Sequence, residues 1–181
     1  MYFLNAERNT ISEDIIIEKA KPEDAEELLH ILKIIGGETD NLTFGSEGLS
    51  ATLKEEQIYL ASLIDSASSA MFVARKNGRI VGNAHFTGMT RMRLKHRGTL
   101  GISVLRSEWG QGIGSSLMEA VIDFAKNTAH VEIISLEVKS DNVRAIELYK
   151  KFGFENTGHF KGFLKIDGKY ADFELMNLYL D

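Results

Sequence analysis

Three glycines, Gly110, Gly112 and Gly114, stand in the run Trp109-Gly110-Gln111-Gly112-Ile113-Gly114. An apolar stretch, Leu100-Gly101-Ile102-Ser103-Val104, precedes it, and an amphipathic one beginning Ser115-Ser116-Leu117-Met118 follows. The chemistry that this arrangement supports is anion binding. Glycine lets the backbone turn so that successive N–H groups point one way, and the positive end of the next helix adds its dipole, a setting suited to phosphate oxygens. An ordinary strand-to-helix turn also uses glycine, so the turn alone leaves both readings open.

Spacing disfavours three other glycine sites. Counted from Gly110, the third glycine of a dinucleotide-binding Gly-x-Gly-x-x-Gly falls on Ser115, and the segment from Leu105 to Trp109 separates strand from glycines that this fingerprint wants nearly adjacent. The phosphate loop of nucleotide hydrolases requires Gly-Lys-Ser/Thr, which the chain lacks. The serine-hydrolase elbow is missing too, because Gly101-Ile102-Ser103-Val104-Leu105 has no second glycine.

Downstream the chain reads Leu136-Glu137-Val138-Lys139-Ser140-Asp141-Asn142, then Ala145, Leu148-Tyr149 and Phe152-Gly153-Phe154. Behind a glycine turn at this distance, that text resembles the GNAT superfamily of N-acetyltransferases, which bind acetyl-coenzyme A. The likeness runs from Ile16 to Tyr179, with the diagnostic motifs between Leu100 and Phe154. It implies an acetyl-CoA-dependent N-acetyltransferase working by direct transfer, with acetyl-CoA as co-substrate. The acceptor is then a small-molecule amine or a peptide or protein amino group, and a homodimer is compatible with the family. The alternative on the same fold is a non-catalytic acyl-CoA-binding or regulatory module.

The resemblance puts the pyrophosphate on Trp109, Gly110, Gln111, Gly112, Ile113, Gly114 and Ser115. It puts the pantetheine arm beside Ile102, Ser103 and Val104, with Asn142 and Tyr149 at the same site. Where the family usually begins the turn with Arg or Gln, this chain has Trp109. Backbone N–H groups are then expected to hold the phosphates, with the indole packed beneath the turn.

Moving an acetyl group from a thioester to an amine needs a neutral amine and a proton for the departing thiolate. An aliphatic ammonium near pKa 10 must first lose a proton. Glu137 and Tyr149, twelve residues apart, resemble the base and acid of bacterial ribosomal-protein alanine N-acetyltransferases. A solvent-facing strand residue with a water-mediated base is the other reading of Glu137, and a packed core tyrosine that of Tyr149.

The elements that must position these residues follow from periodicity and turn chemistry. Ile15-Ile16-Ile17 begins a strand after an arm formed by residues 1–14. Pro22 opens a helix with Ala25, Leu28, Leu29 and Leu32 on one face, ended by Gly36-Gly37. A polar loop from Glu38 to Gly48 leads to Thr52-x-x-Glu55, a capping box before a helix whose apolar face is Ile58, Leu60, Ala61 and Ile64. Met71–Arg75 and Arg79–Phe86 form a hairpin about Asn77-Gly78. The basic run Arg91, Arg93, Lys95, His96, Arg97 is either a solvated strand end or a partner for the 3′-phosphate of coenzyme A. Leu117, Met118, Val121, Ile122 and Ala125 face a sheet from the helix after the glycines. Ile133–Val138 is a strand. Ala145, Ile146, Leu148 and Phe152 mark a helix ended by Gly153, and strands Phe160–Ile166 and Tyr170–Leu180 meet at Asp167-Gly168.

This order predicts a single α/β domain over residues 15–181, with a mixed, mostly antiparallel sheet, flanking helices, and a splay between the strands of Ile102 and Val138. The acceptor is expected between Glu38–Phe44 and Lys165–Tyr170, both polar and aperiodic.

With 181 residues, the chain fits one domain with a substantial core. Its 44% hydrophobic and 26% charged residues are ordinary for a soluble protein. No apolar run approaches the roughly 20 residues of a membrane span. A net charge of −5 argues against a nucleic-acid surface and suits cationic partners. Zero cysteines rule out disulfides, Cys-ligated metals and an acyl-cysteine intermediate. An N-terminus without a secretory pattern points with them to the cytoplasm. The five histidines, His30, His85, His96, His130 and His159, form no metal-ligand pair in sequence, so surface or structural roles are expected.

Overall fold

The computed structural model describes residues 15–180; the expected arm, residues 1–14, lies outside them. Among the described residues, seven strands make one sheet in the order β1-β2-β3-β4-β5-β7-β6. They are β1 (Ile15–Lys19), β2 (Ser69–Lys76), β3 (Arg79–Gly88), β4 (Arg97–Val104), β5 (Ile133–Lys139), β6 (Glu155–Ile166) and β7 (Lys169–Tyr179). Asn77 and Gly78, both at positive φ, turn the β2–β3 hairpin, and Asp167 and Gly168 turn that of β6 and β7. All neighbours are antiparallel except β4 and β5. That parallel pair is registered only at Arg97↔Ile133, Gly98↔Ile134 and Thr99↔Ser135. Beyond it the strands part, which is the expected splay, and β4 from Leu100 to Val104 is left with β3 alone as partner.

Four α-helices among the described residues cover the sheet: α1 (Ala25–Glu38), α2 (Leu53–Leu63), α3 (Ile113–Asn127) and α4 (Val143–Lys151). The α3 face buries Leu117, Met118, Val121 and Ala125 together with Phe72, Phe86, Ile134 and Met176, so one core spans both sides of the splay. Phe124 meets Phe72 and Phe86 edge-on, with ring centroids 6.2 and 6.1 Å away. A smaller core lies under α1 and α2, built by Leu28, Ile31, Ile35, Leu60, Met71 and Val73. Arg75 fastens α1 to this side by pairing with Glu18, Asp24 and Glu27, while Glu27 also accepts the Ile80 N–H at 3.0 Å.

Two helix expectations change. Gly36-Gly37 does not end α1, which continues to Glu38. A Cβ on Gly36 would lie 2.0 Å from the Gly45 carbonyl oxygen, so glycine is there to let the following loop close onto the helix. In α2 the Thr52–Glu55 capping box forms as predicted, but the buried face is Glu56, Leu60 and Leu63. Ile58 and Ile64 are exposed. Glu56 Oε1 has no partner among the described residues, and burial raises its carboxyl above the usual range.

Candidate active site

The splay opens into a cleft of about 740 Å³. It is lined by β4 from Leu100 to Val104 with Asn83 and His85 beside it on β3, by the glycine turn and α4, by the loop after α1, and by Phe163 and Phe173.

Of the residues expected to bind the cofactor, Ile102, Ser103, Val104, Trp109, Gly110, Gly112, Ile113, Gly114, Ser115, Asn142 and Tyr149 all line this cleft. Gln111 does not. Its side chain accepts from Lys76 Nζ at 2.8 Å and donates to Glu108 at 2.9 Å, tying the back of the turn to the end of β2.

Gly110 and Gly112 both sit at φ +83°, and a Cβ on either would meet nothing within 4 Å. The turn is therefore left-handed and open on its outer side. Ser116 N–H donates to the Gly112 carbonyl at 3.0 Å, whereas the N–H groups from Gly110 to Ser115 find no acceptor among the described residues. Free N–H groups at a helix start are the fit that a pyrophosphate requires. The unpaired edge of β4 fits an extended amide-bearing arm in the same way.

Trp109 makes up in part for the residue it replaces. Its Nε1–H donates to the Val104 carbonyl at 2.8 Å, which closes the end of β4. The Arg144 guanidinium lies 4.8 Å from the indole centroid and Arg106 lies 5.6 Å away, so the ring holds two cations near the turn. Nothing in the local sequence announces these two arginine partners of the indole.

Asn142 caps α4 by accepting the Ala145 N–H at 3.3 Å, leaving its amide NH2 as the group able to donate into the cleft. The turn before it is held by Glu174 of β7. This carboxylate accepts from Ser140 Oγ at 2.8 Å and Asn156 Nδ2 at 2.5 Å, and meets His159 Nδ1 at 2.9 Å. The Asn156, Ser140 and His159 bonds hold its pKa down to about 2, from an ordinary 4.5. The ionised form is thus favoured by folding, and its contribution is present above pH 4.5 and lost as pH falls through about 2. Glu174→Gln should therefore lower the urea midpoint most at neutral pH, with a gap to the parent that narrows between pH 4.5 and 2. A gap that widens on acidification would contradict this assignment.

Tyr149, on α4, is only 7% exposed and packs on Phe154 with centroids 5.8 Å apart. Burial lifts its phenol to about 12, so the hydroxyl keeps its proton at any ordinary pH. Glu137 is exposed on β5 and lines the same cleft.

His85 was missed. A lone histidine in a strand carries no signal of its own, and its meaning here lies in Gly101, its cross-strand partner. A Cβ on Gly101 would sit 2.2 Å from the imidazole Cε1, so the ring occupies the space that any other residue there would fill. Desolvation pushes its pKa below 6.5, which keeps the ring neutral and able to accept a proton. Beside it, Ser103 Oγ donates to Asn83 Oδ1 at 2.6 Å.

Arg91, Arg93 and Lys95 are exposed ahead of β4, and Arg97 opens that strand and donates to Ser135 Oγ at 2.7 Å; none of the basic run lines the cleft. The loop from Lys165 to Tyr170 is also outside the cleft, and Tyr170 is 73% exposed, whereas Thr39, Asn41, Leu42, Thr43 and Phe44 line it.

The profile of the Acetyltransferase (GNAT) family matches residues 39–154. The L-amino acid N-acetyltransferase AaaT of Escherichia coli is 34% identical over 118 residues, 65% of this chain and 72% of that protein. The E. coli [Ribosomal protein uS5]-alanine N-acetyltransferase is 31% identical over 99 residues, covering 55% of this chain and half of the other's length. Among solved structures, a GNAT-family acetyltransferase from Streptococcus pneumoniae aligns with TM-score 0.89 and 32% identity, over 92% of this chain and 99% of that one.

Proposed function

The chain belongs to the GNAT family of acetyltransferases, and from that premise we propose an N-acetyltransferase that moves an acetyl group from acetyl-CoA directly to a primary amine within the cleft of the splay. The observation that carries this reading is the convergence of the open glycine turn, the unpaired edge of β4, and the neutral Tyr149 and His85 on one cavity. We take residues 15–181 as one transferase domain and the cytoplasm as its location.

Acetyl-CoA, as co-substrate, brings the acyl group activated as a thioester. The protein's N–H groups from Gly110 to Ser115 and the start of α3 receive its pyrophosphate, and Arg144 adds a cation. Backbone groups of Ile102, Ser103 and Val104 take the pantetheine arm as an added strand, with Asn142 donating from the other wall. Glu137 attracts the incoming ammonium. His85 accepts a proton from the amine, and Tyr149 donates a hydrogen bond to the departing sulfur. In the balance, one N–C bond forms and one C–S bond breaks. The ammonium gives up two protons; one ends on the thiol and one passes to solvent.

The test is amine-dependent release of free thiol from acetyl-CoA, followed against pH. For the parent, log kcat/KM on total amine should rise with a slope of about one above the His85 pKa, because only neutral amine reacts, and more steeply below it, because His85 must also be neutral. The break falls below pH 6.5, the ordinary histidine value. His85→Gln should lower turnover and remove the steep limb. A variant with the parental profile would take His85 out of the mechanism, and absence of any thiol release would overturn the reading itself.

A further inference from the structure

Among the described residues, five charged side chains line the cleft: Glu108, Glu137, Arg144, Glu147 and Lys151. Their placement is uneven. Arg144, Glu147 and Lys151 recur along one face of α4, with Arg144 held against Trp109 beside the glycine turn, where anionic phosphates would bind. Glu108 is neutralised by Lys76 at 2.7 Å. The strand register puts Met71, Asn83, His85, Gly101, Ser103 and Glu137 on one face of the sheet, the face that α1 and α2 cover, and there Glu137 has no cation partner among the described residues.

Apolar side chains accompany it in the cleft: Met71 and Phe173 on the same sheet face, Phe163 packed on Phe173 with ring centroids 4.5 Å apart, and Leu32, Leu42 and Phe44 from α1 and the loop after it. Thr39, Asn41 and Asn83 supply only neutral polar groups. Such a chamber favours a molecule whose cation meets Glu137 and whose remainder is hydrophobic. An acid group on the carbon that bears the amine would enter the same chamber, facing Glu137 and apolar walls with no counter-ion, and buried unpaired charge is costly.

Resting on the acetyl-transfer reading above, we propose that the acceptor is a primary amine on an apolar, preferably aromatic, body with no carboxylate beside the amino group. The class comprises arylalkylamines and amino-terminal residues whose carboxyl is tied up in an amide. Free α-amino acids and polycationic amines lie outside it.

Matched acceptors test this on the intact enzyme. Phenethylamine, phenylalaninamide and phenylalanine share one ring and one amine and differ in the group beside it; spermidine carries the amine without the apolar body. Phenethylamine and phenylalaninamide should be acetylated with kcat/KM on the order of 10- to 100-fold above phenylalanine, the range expected for an uncompensated buried polar group. Spermidine should fall with phenylalanine. Phe44→Ala should raise KM for phenethylamine while leaving KM for acetyl-CoA unchanged. If phenylalanine or spermidine matches phenylalaninamide, the acceptor class is wrong while amine acetylation stands. If no amine is acetylated at all, both statements fail together.

Discussion

Gly112→Val should weaken acetyl-CoA binding by about 100-fold or more, equivalent to roughly 2.7 kcal/mol, in a chain that still folds. Gly112 holds φ +83° at the start of α3, a conformation that β-branched residues resist at a cost of about 1–3 kcal/mol. The new side chain would meet no atom of the protein within 4 Å of its Cβ. It would instead project where the phosphates must approach the N–H groups, so most of the loss belongs to the ligand. Gly78 supplies the control. It has φ +77° and equally open surroundings, but it sits at the tip of the β2–β3 hairpin and does not line the cleft. Gly78→Val should cost similar stability and leave coenzyme A affinity at the parental value. Titration calorimetry on both variants, with melting curves, separates strain from obstruction. Parental affinity in folded Gly112→Val would move the pyrophosphate elsewhere.

Tyr149→Phe is expected to lower turnover by about 10- to 100-fold, the contribution of one hydrogen bond to a charged sulfur. The ring and its contact with Phe154 remain, so coenzyme A binding and melting temperature should stay near the parent. A phenol at about 12 would lose its proton to a thiolate of pKa near 8.5 only uphill, so the hydroxyl serves by hydrogen-bonding the sulfur as the C–S bond breaks. This also fixes the alkaline side of the profile. Because the group is raised, it stays protonated to about pH 12, and Tyr149 should impose no falling limb up to pH 10. A Phe variant with parental turnover where chemistry limits the rate would leave Tyr149 a core tyrosine.

What the sequence disclosed was what neighbours in the chain can encode. The glycine turn, the α4 face and both hairpins are set by residues within a few positions of one another, and they stand where periodicity and turn chemistry placed them. His85 depends on Gly101 across a ladder, a contact that no local pattern announces. Gly36 looks like a helix stop until the Gly45 carbonyl is seen against it. The buried face of α2 was misjudged because Ile58 and Ile64 are more apolar than Glu56, yet the helix turns the acid inward. Gln111 was placed in the site by its position in the motif, and the Lys76 that holds its side chain comes from the far hairpin.

The parallel seam of three residue pairs between β4 and β5 also governs how the molecule yields. Strands β1 to β4 form one panel and β5 to β7 another. Hydrogen bonds along the backbone resist bending strongly where they are many, and here they are few. The panels therefore share a short pivot at Arg97 to Thr99, and the width of the gap at Ile102 and Val138 is set mainly by the side chains packed beneath it. Compliance is concentrated where the reacting groups must come together. An extended arm that bonds to β4 acts as a brace across the opening, so amide exchange at Leu100 to Val104 should slow when coenzyme A binds and the two panels move as one plate.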